Sequence, residues 1–520
     1  MLTKHSRRLL AGCATAALLP YGAAMAQDIG GGGELVVVAN AAPQSMQAQT
    51  AYKEVNAIGI RNVIEQLTTL HPETGELIPM LATSWEQVEP TRWRFQLREG
   101  VNFHDGTPFN AEAAAVSMNW VWDPDNAYSI REMRGPEMTA MAADEYVLDI
   151  VTEAPDPLLP RRVYFAGMSS AEQILNDPAS HDTTPIGTGP YRFVEWAQGQ
   201  YWLSEKNAEW WGNTADDAYG EIFFDSVRVV IRPEETVRAA MVEAGEAHLA
   251  MFITVDDCNR FDAAANLKCV LEPSDTYLQM RLDQDGAHPT LSDLRFREAV
   301  FTGIDTAGIR EFIMVHAVPL QGQMLPIESA IGYHEGLEDY PYDPDRARAL
   351  IEELRAEGHE IPTMHLSTRI GSTPRNGEMI EAIGAMLQEV GIPNTVAVEE
   401  PSIFNVRYTT KPSPERAYMG LHVQGNPMLD YASTFTANYS CGSHISVWCD
   451  AEFDARLAEA ASMEGEDRHE ALRALNEYAH ARYAIGGIGL ASRAYGVPAN
   501  FEWSFGIDHR IQAVNMRIAD

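Results

Sequence analysis

Residues Leu81 to Trp120 read LATSWEQVEPTRWRFQLREGVNFHDGTPFNAEAAAVSMNW. In the first half Trp93, Phe95 and Leu97 alternate with Arg92, Arg94 and Gln96, the period of two that belongs to half-buried strands. Gly100 ends the second strand, Asp105-Gly106 supplies a tight turn, and Asn110 stands at an N-cap position with Glu112 in the first helical turn. The stretch is a hairpin feeding a helix. By itself it carries no chemistry, since His104-Asp105 has no nucleophile within sequence range.

Outward from this block, composition sets the limits. A chain of 520 residues, 45% hydrophobic and 22% charged, can bury a large core spread over more than one lobe. The formal net charge of −36 argues against nucleic acid and anionic membranes as partners, and it reads as a solvated surface that names no ligand. Residues 1–26 read as a signal peptide: Lys4, Arg7 and Arg8 precede the apolar run Leu9–Leu19, and Ala24-Met25-Ala26 is an A-x-A cleavage signal. Ser6-Arg7-Arg8-Leu9-Leu10 also resembles a twin-arginine signal, which leaves the export route open. Leu10-Ala11-Gly12-Cys13 resembles a lipobox, but only four residues separate Arg8 from Cys13, too few for the apolar core that precedes a lipidated cysteine. No later stretch reaches the roughly 18 apolar residues of a membrane helix.

The wording of the central block, P-x-LATSWE and then W-x-F-x-LR-x-GV-x-FHDGTPF-x-AE, resembles the signature of the peptide, opine and nickel solute-binding proteins of ABC importers, family 5 of the extracellular binding proteins. The resemblance implies an α/β architecture, the two-lobed class II periplasmic binding protein fold with an extra inserted subdomain and mixed sheets flanked by helices. It places lobe I at 27–275, with the inserted subdomain at about 73–185, lobe II at 276–490 and a C-terminal return to lobe I at 491–520. It further implies a periplasmic monomer that holds a small solute between its lobes and delivers it to an inner-membrane permease and its ATPase, with no cofactor, no metal and no nucleic acid.

Other segments follow the same pattern. Pro185-Ile186-Gly187-Thr188-Gly189-Pro190-Tyr191 matches the family's return from the inserted subdomain; a strand follows it, so it is a fixed turn and not a phosphate cradle. Trp210-Trp211 reads as packing. Val237–Ala244 reads as a helix with Val237, Met241 and Ala244 on one face, Tyr340–Glu357 as a helix opened by Pro344 with Ala347, Leu350, Ile351 and Leu354 inward, and Asn376–Val390 as a helix presenting Ile380, Ile383, Leu387 and Val390. Cys258/Cys269 and Cys441/Cys449 lie in two close pairs, which in an exported chain suggests two local disulfides; a zinc site is the rival, with spacings wrong for a knuckle.

The resemblance also proposes ligand contacts. The loop after the first strand lines the cleft in the family, which brings in Gln44, Ser45 and Met46 at a point where a common form of the loop carries Asp-Pro. Arg281 stands where many relatives carry Asn, and offers a fixed fork for a carboxylate or phosphate. Arg369 falls on the arginine that grips the ligand carboxylate in dipeptide-binding relatives; Arg375 reads as a solvated charge at a helix start. Where those relatives place an aspartate against the ligand's α-amine, this chain offers Gln424 or Val423, followed by Gly425 and Asn426. An ammonium buried without a counter-charge is costly, so the missing acid directs the reading toward an anionic solute such as an opine, a blocked peptide or an anionic sugar conjugate. Asp430 is the one nearby substitute, and a solvent-facing loop position is the simpler reading of it. Free di- or oligopeptides are the alternative ligand, and an exported chaperone or adhesion protein the alternative class. Catalysis finds no support: there is no G-x-S-x-G elbow, and His469-Glu470 runs to Arg473 and His334-Glu335 to Glu338 without completing H-E-x-x-H.

Overall fold

The computed structural model describes residues 32–43, 45–47, 59–72, 74–123, 126, 135–214, 219, 221–284, 288–314, 317, 319–370, 372–410, 417–484, 486–503 and 511–519. The expected signal peptide, Cys13 and Gln44 lie outside the described residues. In chain order the strands are β1 (Glu34–Ala39), β2 (Thr68–Leu70), β3 (Leu77–Pro79), β4 (Ala82–Glu89), β5 (Arg92–Leu97), β6 (Met138–Asp144), β7 (Val147–Thr152), β8 (Tyr191–Ala197), β9 (Tyr201–Lys206), β10 (Ser226–Ile231), β11 (Leu249–Ala250), β12 (Leu267–Leu282), β13 (Met364–Arg369), β14 (Asn394–Glu399), β15 (Tyr418–Gly425), β16 (Gly486–Pro498), β17 (Phe501–Trp503) and β18 (Met516–Ile518).

Ten of these strands form one mixed sheet, in the order β14-β13-β15-β12-β16-β11-β1-β10-β9-β8. Its middle is made by two long strands, β12 and β16. The start of β12, Leu267–Pro273, pairs with Ser492–Pro498; after a register shift between Pro273 and Tyr277 the same strand runs between β15 and the beginning of β16. The sequence suggests a short strand up to Leu490 and then a separate return; the structure makes them one strand paired with β12, in which Gly486 and Gly487 leave room for Phe301 and Leu320 to press on the backbone.

The central block folds as its pattern dictates. Trp93, Phe95 and Leu97 of β5 are buried and pack on the helix Ala111–Trp122. Asn110 Oδ1 accepts from the Ala113 amide at 3.0 Å, the expected cap. The result is a four-stranded antiparallel sheet, β4-β5-β7-β6, hydrogen-bonded separately from the large sheet and sharing a core with Tyr277 and Leu490 of its β12 and β16. Its FHDGTPF turn is a clasp: the His104 amide donates to Gly187 O at 2.8 Å, His104 Nε2 bonds Gly189 O at 2.9 Å, and Arg192 Nη1 donates to His104 O at 3.3 Å. Burial pushes the His104 pKa down to about 4, so the ring is neutral and serves this contact.

Two expected helical faces are reproduced, since Ala347, Leu350, Ile351 and Leu354 are buried in the helix Pro344–Ala356, and Ile380, Ile383 and Leu387 in Asn376–Glu389, with Val390 at its C-cap. A third differs. The helix Glu235–Glu243 buries Arg238, Ala239 and Val242 and leaves Val237 40% exposed. The face turns because the Arg238 guanidinium donates to four backbone carbonyls, those of Arg232, Pro233, Met251 and Phe252, at 2.6–2.9 Å. A buried arginine so satisfied outweighs the apolar pattern that surrounds it.

Candidate ligand-binding site

Along β12 the side chains alternate. Leu278, Met280 and Leu282 enter the core built with the helices Leu294–Thr302, Pro344–Ala356 and Asn376–Glu389. Tyr277, Gln279 and Arg281 point to the opposite face. There Tyr277 stands across from Gln424, Gln279 from His422, and Arg281 from Gly420 of β15. On the far side of β15, Ser367 of β13 pairs with Gly420 and Thr368 with Leu421, so Arg369 comes next, beside His422.

The helix Pro401–Thr409 roofs this face. Pro401 sets its first turn. Its inward rings meet His422, with centroids 5.7 Å away for Phe404 and 4.4 Å for Tyr408. Tyr408 Oη donates to Gln424 Oε1 at 3.2 Å, and the Tyr408 ring lies 3.9 Å beneath the Arg281 guanidinium carbon. Arg407 of the same helix pairs with Glu399, whose carboxylate also lies 3.5 Å from His365 Nε2.

Polar groups on this face outnumber their partners. Arg281 is 3% exposed, and among the described residues its Nε has no hydrogen-bond partner and its Nη1 reaches only the Tyr408 carbonyl, at 3.5 Å. Gln279 Nε2, Tyr277 Oη and His422 Nδ1 are also buried and without partners among the described residues. Among the described residues neither Arg281 nor Arg369 forms an ion pair. Burial, reinforced by the charges of Arg281 and Arg369, drives the His422 pKa down to about 3, so the imidazole between them is neutral. Burying a guanidinium without a counter-charge costs several kcal/mol. Such an arrangement is suited to an incoming anion.

The residues singled out from sequence divide. Arg281, Arg369 and Gln424 share one sheet face. Ser45 Oγ donates to Asp182 Oδ1 at 2.9 Å, and Met46 is fully buried in the apolar core around β1, away from that face. Gly425 pairs with Thr276, on the alternate side of β15 from Gln424. Asn426 is 2% exposed and braces a turn, donating to Asp430 O at 3.1 Å. Asp430 is not a solvent-facing residue: it is wholly buried, caps the helix Tyr431–Asn438 and pairs with Arg468 at 2.8 Å. Arg375 adopts a left-handed backbone (φ 56°), donates to the carbonyls of Phe312 and Ile313, and pairs with Glu378. Cys258 bonds Cys269 and Cys441 bonds Cys449. No cluster of three His, Cys, Asp or Glu able to hold a metal occurs among the described residues. Sequence reasoning misses Tyr277, Gln279, His422 and Tyr408. The first two are marked by the polar alternation within Tyr277-Leu278-Gln279-Met280-Arg281-Leu282; nothing in the sequence marks Tyr408.

The chain is 24% identical to "Heme-binding protein A" of Haemophilus influenzae, covering 79% of this chain and 78% of that protein, and 23% identical to "Di/tripeptide-binding protein 2" of Pseudomonas aeruginosa, covering 78% and 79%. Among solved structures it superposes on the ABC transporter substrate-binding protein CtaP of Listeria monocytogenes with a TM-score of 0.80 at 17% identity, over 94% of this chain and all of that one. It also superposes on the binding protein AgaA of A. tumefaciens R10 in complex with agropinic acid, with a TM-score of 0.72 at 16% identity, over 94% and 99%. These neighbours share the two-lobed periplasmic binding protein fold. The family described as "Bacterial extracellular solute-binding proteins, family 5 Middle" matches residues 76–442, and this chain belongs to that family of ABC-importer solute-binding proteins.

Proposed function

We propose that the protein is the periplasmic receptor of an ABC importer, and that it captures a small acidic solute between its lobes and hands it to a membrane permease and its ATPase. One observation carries the substrate class: two arginines, Arg281 and Arg369, stand on one sheet face with neither in an ion pair among the described residues. Arg369 orients the acidic group from the rim, and Gln424 and the rings of Phe404 and Tyr408 enclose the rest. The register break in β12 and the facing stretch of β16 form the hinge, and ligand binding favours the closed lobes through contacts to both. The protein works as a monomer, and binding without catalysis is its whole task.

A thermal-shift screen tests this reading, with opines, N-acylated dipeptides, sugar phosphates and free di- and tripeptides. A true ligand at a hundred times its Kd adds about 2.7 kcal/mol to stability. Acidic, amine-blocked compounds are expected to shift the transition, and Arg369→Ala to abolish the shift. A larger shift from free peptides would favour the second reading, a peptide receptor, which the relative named "Di/tripeptide-binding protein 2" supports.

A further inference from the structure

The buried end of the site asks for more than one acidic group. Arg281, Gln279 and Tyr277 each present a polar atom at least nine-tenths buried and without a partner among the described residues, on successive positions of one strand that face away from the core of Leu278 and Met280. Two of these atoms, Arg281 Nε and Gln279 Nε2, only donate, and the Tyr277 hydroxyl donates as readily as it accepts. A group that satisfies all three must accept several hydrogen bonds at once, as an ionised carboxylate, phosphate or sulfonate does. Arg369, one strand beyond β15, is a separate cation with no hydrogen bond or ion pair from its guanidinium among the described residues. Glu399, which pairs in register with Arg369, is already engaged by Arg407, so it does not supply the missing charge.

We propose, resting on the receptor reading above, that the ligand is a dianion with no free amine. One acidic group meets Arg369, and the second passes beneath the helix Pro401–Thr409 to Arg281, Gln279 and Tyr277. Strands two places apart in a sheet lie about 10 Å apart, so the two acidic groups are separated by a short chain of a few atoms. Tyr408 is the stand-in for the second group: its ring covers the Arg281 guanidinium at 3.9 Å and its carbonyl offers the long 3.5 Å contact to Nη1. The second anion displaces that ring, because a charge-assisted bond in a dry site outweighs a cation–π contact. Arg281 is therefore held for the ligand at a cost to the empty protein.

Two measurements test this. Calorimetric titration compares the dicarboxylates glutarate to suberate and N-acetylglutamate with their monoamides, and with the dipeptide Ala-Ala. Unfolding of the ligand-free protein compares the natural chain with Arg281→Met. The expected result is that a dianion binds about tenfold or more tightly than its monoamide. Arg281→Met should remove that preference and raise the unfolding temperature of the empty protein, whereas a structural guanidinium would lower it. Equal binding of dianion and monoamide overturns the proposal, as does a lowered unfolding temperature in Arg281→Met. Binding of Ala-Ala without any dianion overturns it too, and leaves the importer reading standing. Failure of all three ligand types together with a destabilised Arg281→Met overturns the dianion proposal and the acidic-solute reading on which it rests.

Discussion

Glu65 gives the most exacting test of the folded state. Its carboxylate is fully buried and accepts from Thr188 Oγ1 at 2.7 Å, Trp210 Nε1 at 2.8 Å and Trp211 Nε1 at 2.7 Å. Burial raises its pKa from 4.5 to about 7 even against those three donors. The folded protein thus holds this proton more tightly than the unfolded chain does. The contribution to stability is complete below pH 4.5 and is lost as pH climbs to 7. At 1.36 kcal/mol per pH unit the whole swing is about 3 kcal/mol. Seventy-four acidic residues make the pH profile of the natural protein hard to read alone, so the informative quantity is its difference from Glu65→Gln. Urea unfolding followed by circular dichroism at pH 5, 6, 7 and 8 should show the glutamine variant gaining on the natural chain by about 2–3 kcal/mol across the range. A difference that stays constant from pH 5 to 8 would show that the carboxylate is ionised throughout and that its three donors outweigh burial.

Other outcomes follow from neighbouring features. Asp430→Ala strands the Arg468 guanidinium, whose side chain is 4% exposed, and removes a helix cap; urea denaturation should register a loss of about 3–5 kcal/mol. Gly187→Ala places a methyl carbon 2.2 Å from the backbone oxygen of Val63, which should cost about 1–3 kcal/mol or more by opening the clasp. Gly442→Ala, in open space, should stay within about 0.5 kcal/mol and serves as its control. His104 contributes with the opposite sign to Glu65: its pKa is depressed to about 4, so stability falls as pH drops from 6.5 toward 4, and His104→Gln should flatten that part of the unfolding profile.

Patterns of period are legible in the sequence. The alternation in β5, the cap at Asn110 and the inward faces of Pro344–Ala356 and Asn376–Glu389 all depend on neighbours within a few residues, and such local rules act wherever the chain goes. Long-range partners are not legible there. Trp210 and Trp211 have the character of packing residues, and they do pack, yet both also donate to a carboxylate some 145 positions earlier. Asp430 has the look of a surface acid because its partner, Arg468, lies far along the chain. Arg238 turns a helix face for a different reason: its acceptors are near in the chain, but they are backbone carbonyls, which the sequence cannot display. In the site, Arg281 and Arg369 can be named from resemblance, but that neither meets a counter-charge among the described residues depends on every surrounding element at once.

The order of strands in the large sheet has a bearing on biogenesis. Ala250 of β11 pairs with Gly496, and the core around β1 is completed by Phe501, Ile511, Ala513 and Met516. The core around β1 is thus left unfilled, and β11 without its second neighbour, until the end of β16 and the residues beyond it have been made. A nascent chain halted after β12 would expose Leu35, Val37 and Leu249 to whatever it met. The opening strand thus waits for the closing one, and a nick or truncation near the C-terminus should unravel the beginning of the chain before its middle.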